Sequence, residues 1–151
     1  MFKNLLFSFV GLLLLNSVAL SQDFGSRDEA VAMVKRVQAK FQAVGAEATF
    51  AMVTDKSTPE FHDRDLYPFI YDMNGVNVAH GAKPVLVGKN LLGLKDQDGK
   101  LLIQDMLEIA NTTGGGWYDY KWPNPITNKI EDKSSYVEKM GDYMVGVGVY
   151  R

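Results

Sequence analysis

Trp117, Tyr120 and Trp122 stand close together in the chain, beside Lys121 and ahead of Tyr136. Large rings with a polar handle suit the wall of a pocket that encloses something small and still hydrogen-bonds it. His80 and Tyr71 add hydrogen-bonding capacity, and a histidine can donate to a carboxylate or titrate near neutral pH. Lys83, Lys89, Lys121 and Lys133 are the cations near these segments. If the occupant is an acid, one of them has to neutralise it, because burying an unpaired carboxylate is costly. The candidate binding residues are therefore Tyr71, His80, Lys89, Tyr120, Lys121, Trp122 and Tyr136. Each also suits a plainer role: a ring packed in the core, a histidine closing a loop, a lysine solvated at the surface.

Chemistry beyond binding is not written in the chain. Catalysis needs a nucleophile with its base, paired carboxylates or a metal, and none occurs at recognisable spacing. His62 lies among Asp63, Arg64 and Asp65 and reads as a loop residue. Two distant histidines do not make a metal site. Asp96-Gln97-Asp98-Gly99 looks like the opening of a calcium loop, but Leu107 stands where the bidentate Glu is required. Gly114-Gly115-Gly116 is followed by no Lys-Ser or Lys-Thr, so it is a joint between elements and not a phosphate loop. No cofactor and no metal are implied, and an enzyme is not expected.

The elements that must position these side chains follow from spacing. Ser26 and Glu29 stand at capping-box separation. Val31, Val34, Val37, Phe41 and Val44 then recur on one helical stripe. With Ala46 to Val53 continuing past Gly45, one long opening helix of about 20 or more residues is expected, ended by Ser57-Thr58-Pro59. Asn74-Gly75 between two strand-like runs predicts a type I′ hairpin with Met73 facing Val76, Tyr71 facing Val78 and Phe69 facing His80. A loop from Gly81 to Asp98 precedes a helix at Leu101 to Thr112. In the strand Trp117 to Trp122, alternation puts Trp117, Asp119 and Lys121 on one face and Tyr118, Tyr120 and Trp122 on the other. Trp117 therefore belongs to helix packing or core. Gly141-Asp142 predicts a type II′ hairpin with Ser135 opposite Gly148 and Val137 opposite Gly146. Those glycines leave one face bare, so something approaches it closely, while Tyr136 and Val147 lie on the other face. Helix, two strands, helix and three strands make an α+β domain with a five-stranded antiparallel sheet.

At the N-terminus, Lys3 followed by the apolar run Leu5 to Leu15 and by Ala19-Leu20-Ser21 reads as a signal peptide over residues 1–21, cleaved before Gln22. An uncleaved membrane anchor is the alternative. Residues 22–151 are expected to form one domain, periplasmic or secreted. The chain has no cysteine, which excludes a disulfide framework, thiol chemistry and a lipoprotein. A formal charge of −2 without a basic patch argues against nucleic acid as a partner.

His80, Gly88-Lys89-Asn90, Leu94-Lys95-Asp96, Asp98-Gly99-Lys100, the run from Gly114 to Pro125, Lys133 with Ser135-Tyr136-Val137, and Gly146 to Tyr150 together resemble single Cache domains of type 2, over nearly all of residues 26–151. The resemblance implies an extracytoplasmic sensor module of PAS-like fold, with a long N-terminal helix packed on the antiparallel sheet. It implies a pocket between sheet and loops for a small metabolite, often an organic acid, and a membrane-bound signalling partner. The long N-terminal helix offers a surface for a homodimer. Family members often read His-Pro-x-x-Pro where this chain has His80-Gly81-Ala82-Lys83-Pro84, which puts the pocket rim and the ligand in question. The chain ends at Tyr150-Arg151 without an output module, so a stand-alone form is expected. The alternative is a structural or interaction module of the cell envelope whose pocket is filled by its own side chains.

Overall fold

Ser26 caps the first helix as its spacing predicts. Its Oγ accepts from the Glu29 amide, and the Glu29 carboxylate accepts from the Ser26 amide. The computed structural model describes residues 24–151; the expected signal peptide lies outside the described residues. The opening helix is two helices, α1 (Arg27–Val44, 18 residues) and α2 (Ala46–Thr54). Gly45 separates them with φ 83° and ψ 176°, a conformation that glycine enters without the penalty a Cβ would bring.

β1 (Pro68–Asp72) and β2 (Asn77–His80) follow, then α3 (Leu102–Thr113), β3 (Gly115–Pro123), β4 (Ile130–Met140) and β5 (Tyr143–Tyr150). The strands form one antiparallel sheet in the order β2-β1-β5-β4-β3. The domain is α+β, as expected. Gly114 ends α3 in the left-handed region with φ 80°, and the other two glycines of the run already belong to β3.

The β4–β5 hairpin has the predicted register, with Ser135 opposite Gly148 and Val137 opposite Gly146. The β1–β2 hairpin differs in part. Phe69 does face His80, but Tyr71 pairs with Asn77 and not with Val78. The Asp72 carboxylate accepts from the amides of Asn74 and Val76, and the Gly75 amide donates to the Asp72 carbonyl. Three residues therefore make the turn, with Gly75 at φ 82°, and the extra residue is absorbed as a bulge.

Strand alternation gives the sheet two faces. On one, Met33, Val34 and Val37 of α1 pack with Ile70, Val145 and Val147, all buried. On the other, Leu102, Ile103 and Met106 of α3 cover Phe69, Tyr71, Tyr120 and Met144. Fully burying an aliphatic side chain is worth about 1.5–3 kcal/mol, so each layer secures its helix. The loop between β2 and α3 is held to the start of β2: the Asn77 amide donates to the Lys89 carbonyl, and the Gly88 amide donates to the Asn77 carbonyl.

Candidate functional site

The face under α3 holds a small cavity lined mostly by buried side chains. Leu102, Ile103 and Met106 form its helical wall. Phe69, Tyr71, His80, Tyr120, Trp122 and Lys133 line it from the sheet. Its free volume is about 10 Å³, of the order of a single water. A wider groove of about 430 Å³ runs between α3 and the β4–β5 turn, but Glu108, Asn111, Thr112 and Asp142 on its walls are exposed. The buried cavity is where electrostatic interactions are strongest.

Lys133 defines the site. It lies on β4 two residues before Ser135, and therefore on the glycine-lined face. A Cβ on Gly148 would lie 2.4 Å from Lys133 Cε and 2.2 Å from Ser135 Oγ; one on Gly146 would lie 2.3 Å from the Phe69 ring. The side chains that approach the bare strand are thus Lys133, Ser135 and Phe69. The lysine is 1% exposed. Its Nζ donates to the Tyr67 hydroxyl at 2.8 Å and stands 4.2 Å from the Tyr67 ring and 4.9 Å from the Tyr150 ring. Among the described residues no carboxylate lies within ion-pairing distance of it. Burial pulls its pKa down to about 7; Asp65 draws it back up and Lys83 pushes it further down.

Hydrogen-bond direction can be followed outward from this lysine. Tyr150 donates to the Pro123 carbonyl at 2.8 Å, so its oxygen accepts from the Tyr67 hydroxyl at 3.0 Å. Tyr67 in turn accepts from Lys133. Burial raises the pKa of Tyr67, Tyr71, Tyr120 and Tyr150, so all four hydroxyls stay protonated. Tyr120 shares a hydrogen bond of 3.0 Å with Ser135.

His80 closes the other side. Its Nδ1 accepts from the amides of Ala82 at 3.2 Å and Lys83 at 3.0 Å, which leaves Nε2 as the protonated nitrogen. Burial, then the charges of Lys133 and Lys83, lowers its pKa to about 3. The expected titration near neutral pH is therefore not available to it: His80 is a neutral donor that also anchors the following loop.

Of the predicted residues, Tyr71, His80, Tyr120 and Trp122 meet at the cavity. Lys121, Lys89 and Tyr136 do not. Lys121 is one residue out of phase with Tyr120, and its ammonium pairs with Asp98 at 3.1 Å. Lys89 is exposed on the loop after β2. Tyr136, one residue from Ser135, faces α1, with its ring 5.5 Å from that of Trp117. Trp117 packs on that helical side as expected, with the Arg27 guanidinium 3.7 Å over its ring. Lys133 is the residue that sequence reasoning left among four surface candidates. The expected strand begins at Ser134; β4 begins at Ile130, and that longer β4 is what puts Lys133 on the glycine-lined face.

The five-stranded sheet thus carries a donor-lined cavity under α3, and comparison with known proteins identifies the family. Residues 27–151 match the Cache domain family, and the chain belongs to it. It is 38% identical over 91 residues to the sensor histidine kinase MctS of Rhizobium johnstonii, covering 59% of this chain and 20% of that protein. The chain thus spans about a fifth of the length of that curated relative. Among solved structures, it superposes on a methyl-accepting chemotaxis protein from Vibrio parahaemolyticus with TM-score 0.71 and 26% identity, over 82% of this chain and 86% of that one. It shares its fold with a Cache chemosensory domain described as recognising carboxylic acids (TM-score 0.63, 24% identity, 82% and 86% covered). Cache domains are sensor domains of chemotaxis proteins and kinases. Among the described residues no helix is long and apolar enough to cross a membrane.

Proposed function

We propose that this Cache domain recognises a short monocarboxylate, such as acetate or propionate, and relays its presence to a membrane-bound signalling partner. The buried Lys133 ammonium without a carboxylate partner carries the reading. An isolated buried charge is costly, and an incoming anion relieves that cost. The His80 Nε2–H and the Tyr71 and Tyr120 hydroxyls supply donors around the same space, and charge-assisted hydrogen bonds are the strong ones. Leu102, Ile103 and Met106 offer an alkyl tail an apolar wall. Among the described residues Lys133 is the one cation lining the cavity, which favours a single carboxylate over two. The related fold described as serving carboxylic acid recognition is consistent with this.

Isothermal titration of the full-length chain with sodium acetate, propionate, succinate and methylammonium chloride tests the reading. Saturable heat with the monocarboxylates, absent in Lys133→Met, is expected. Heat with methylammonium in place of the acids, or silence across the panel from a folded sample, would sink it. The free volume of about 10 Å³ supports a second reading, a structural module filled by its own side chains. That reading expects no ligand to raise the melting temperature.

A further inference from the structure

The free space beside Lys133 is about 10 Å³, room for one water, and even acetate is larger than a water. A wall therefore has to yield before an acid can enter. On the sheet side the lining residues stand on strands held in hydrogen-bonded ladders. The remaining wall is α3, which rests on the sheet through its side chains.

The two ends of α3 are held differently. At its C-terminal end Gly114 turns the chain at φ 80°, and the Lys139 amide donates to the Gly114 carbonyl at 2.9 Å. Ile109 packs there so closely that a Cβ on Gly116 would lie 3.1 Å from it. That end is fixed to β3 and β4. The cavity wall of Leu102, Ile103 and Met106 belongs to the first turns. In those turns, among the described residues, Asp105 makes the one side-chain hydrogen bond to the sheet: its carboxylate accepts from the Tyr118 hydroxyl at 2.5 Å. Burial, then Asp105, raises the Tyr118 pKa, so the hydroxyl stays the donor. The Tyr118 ring stacks on that of Tyr120 at 5.8 Å, so the bond joins one side of the cavity to the other. The turn ahead of α3 is tied to the same strand by Lys100, whose Nζ donates to the Asp119 carbonyl at 2.6 Å, and by Lys121, whose amide donates to Asp96 at 3.2 Å and whose ammonium pairs with Asp98. Asp98, Lys100 and Asp119 are exposed, and exposed ion pairs hold little.

We propose that α3 is the lid of the cavity, swinging on Gly114, and that the Tyr118–Asp105 hydrogen bond is the latch that holds it shut. This rests on the reading of the cavity as a carboxylate site. To admit an acid, the first turns of α3 lift and the latch opens. The bond therefore favours the empty state and opposes binding. Tyr118 is a positioning residue: it is not part of the cavity lining, and it sets how readily the site is occupied.

Titration calorimetry and hydrogen exchange on the full-length chain test this, with sodium acetate as the probe. Tyr118→Phe keeps the stacked ring and removes the donor; Asp105→Asn keeps an acceptor oxygen and removes the charge. Tyr118→Phe should bind acetate at least about threefold more tightly than the wild type, since a half-buried hydrogen bond to a charged group no longer has to break. Asp105→Asn should gain by a smaller factor, and the double variant should bind no more tightly than Tyr118→Phe alone. Losing a merely structural contact would weaken binding or leave it unchanged. Without acetate, the amides of residues 102–107 should exchange at least about threefold faster in Tyr118→Phe, with those of β4 and β5 unchanged. Where Tyr118→Phe fails to fold, Asp105→Asn carries both measurements. Acetate heat with unaltered or weaker affinity in the folded variants overturns the proposal, and so does unaltered exchange at residues 102–107. No acetate heat in the wild type or the variants, with exchange at residues 102–107 accelerated, overturns the carboxylate reading and leaves the lid standing.

Discussion

At the scale of single residues, Lys133 sets the chemistry. In the folded chain it releases its proton near pH 7 because burial disfavours the ammonium, against an ordinary value of 10.5. Between those values the unfolded chain binds more protons. This group therefore makes stability rise with pH across that window, and its cost is fully present below it. Lys133→Met removes the buried charge while keeping an unbranched side chain, so we expect a higher melting temperature at pH 7 together with lost acetate binding. Melting curves of the two proteins should converge as the pH approaches 10. A bound carboxylate restores the preference for the ammonium, so acetate binding at pH 8 should take up protons and weaken as the pH rises. Titration in two buffers of different ionisation enthalpy reads this directly; proton release would contradict it. His80 acts in the acid range. Its folded value of about 3 lies below the ordinary 6.5, so the stability it contributes is present above 6.5 and lost as the pH falls toward 3. His80→Gln should flatten that part of an acid-unfolding profile.

At the scale of elements, the glycines of β5 decide where Lys133 and Phe69 lie. Gly148→Ala places a methyl group against Lys133 Cε and Ser135 Oγ. Overpacking of this kind costs about 1–3 kcal/mol. Chemical denaturation should show a loss of that order, and calorimetry a weaker acetate signal, because the ammonium is displaced. The β4–β5 hairpin and the two faces of β3 were legible in the sequence, since turn chemistry and alternation are local. Tyr120 and Trp122 could be separated from Trp117 on that ground alone. The break at Gly45 was not legible: a glycine within a helix costs only about 1 kcal/mol, so the apolar stripe reads the same whether the helix continues or stops. The bulge between Ile70 and Tyr71 was missed because Asp72 closes the turn with its side chain, which backbone register does not anticipate. Burial of Lys133 depends on rings at positions 67, 69 and 150, far from it in the chain, and no local pattern announces that.

At the scale of the whole molecule, binding and stability are linked. A ligand that binds only the folded state adds about 2.7 kcal/mol at a concentration of about 100 times its dissociation constant. Thermal melts in acetate should therefore shift upward with the logarithm of concentration, whereas a domain filled by its own side chains should melt at one temperature throughout. The sheet that supports both helices also separates the chain's two tryptophans. Trp122 borders the cavity, and Trp117 lies beneath Arg27 at the start of α1. Indole emission responds to nearby charge and solvent, so the domain carries an intrinsic optical reporter on each side. Trp122→Phe leaves the helix-side reporter alone and Trp117→Phe leaves the cavity-side one, so the order in which the two faces respond can be timed by stopped-flow without a label.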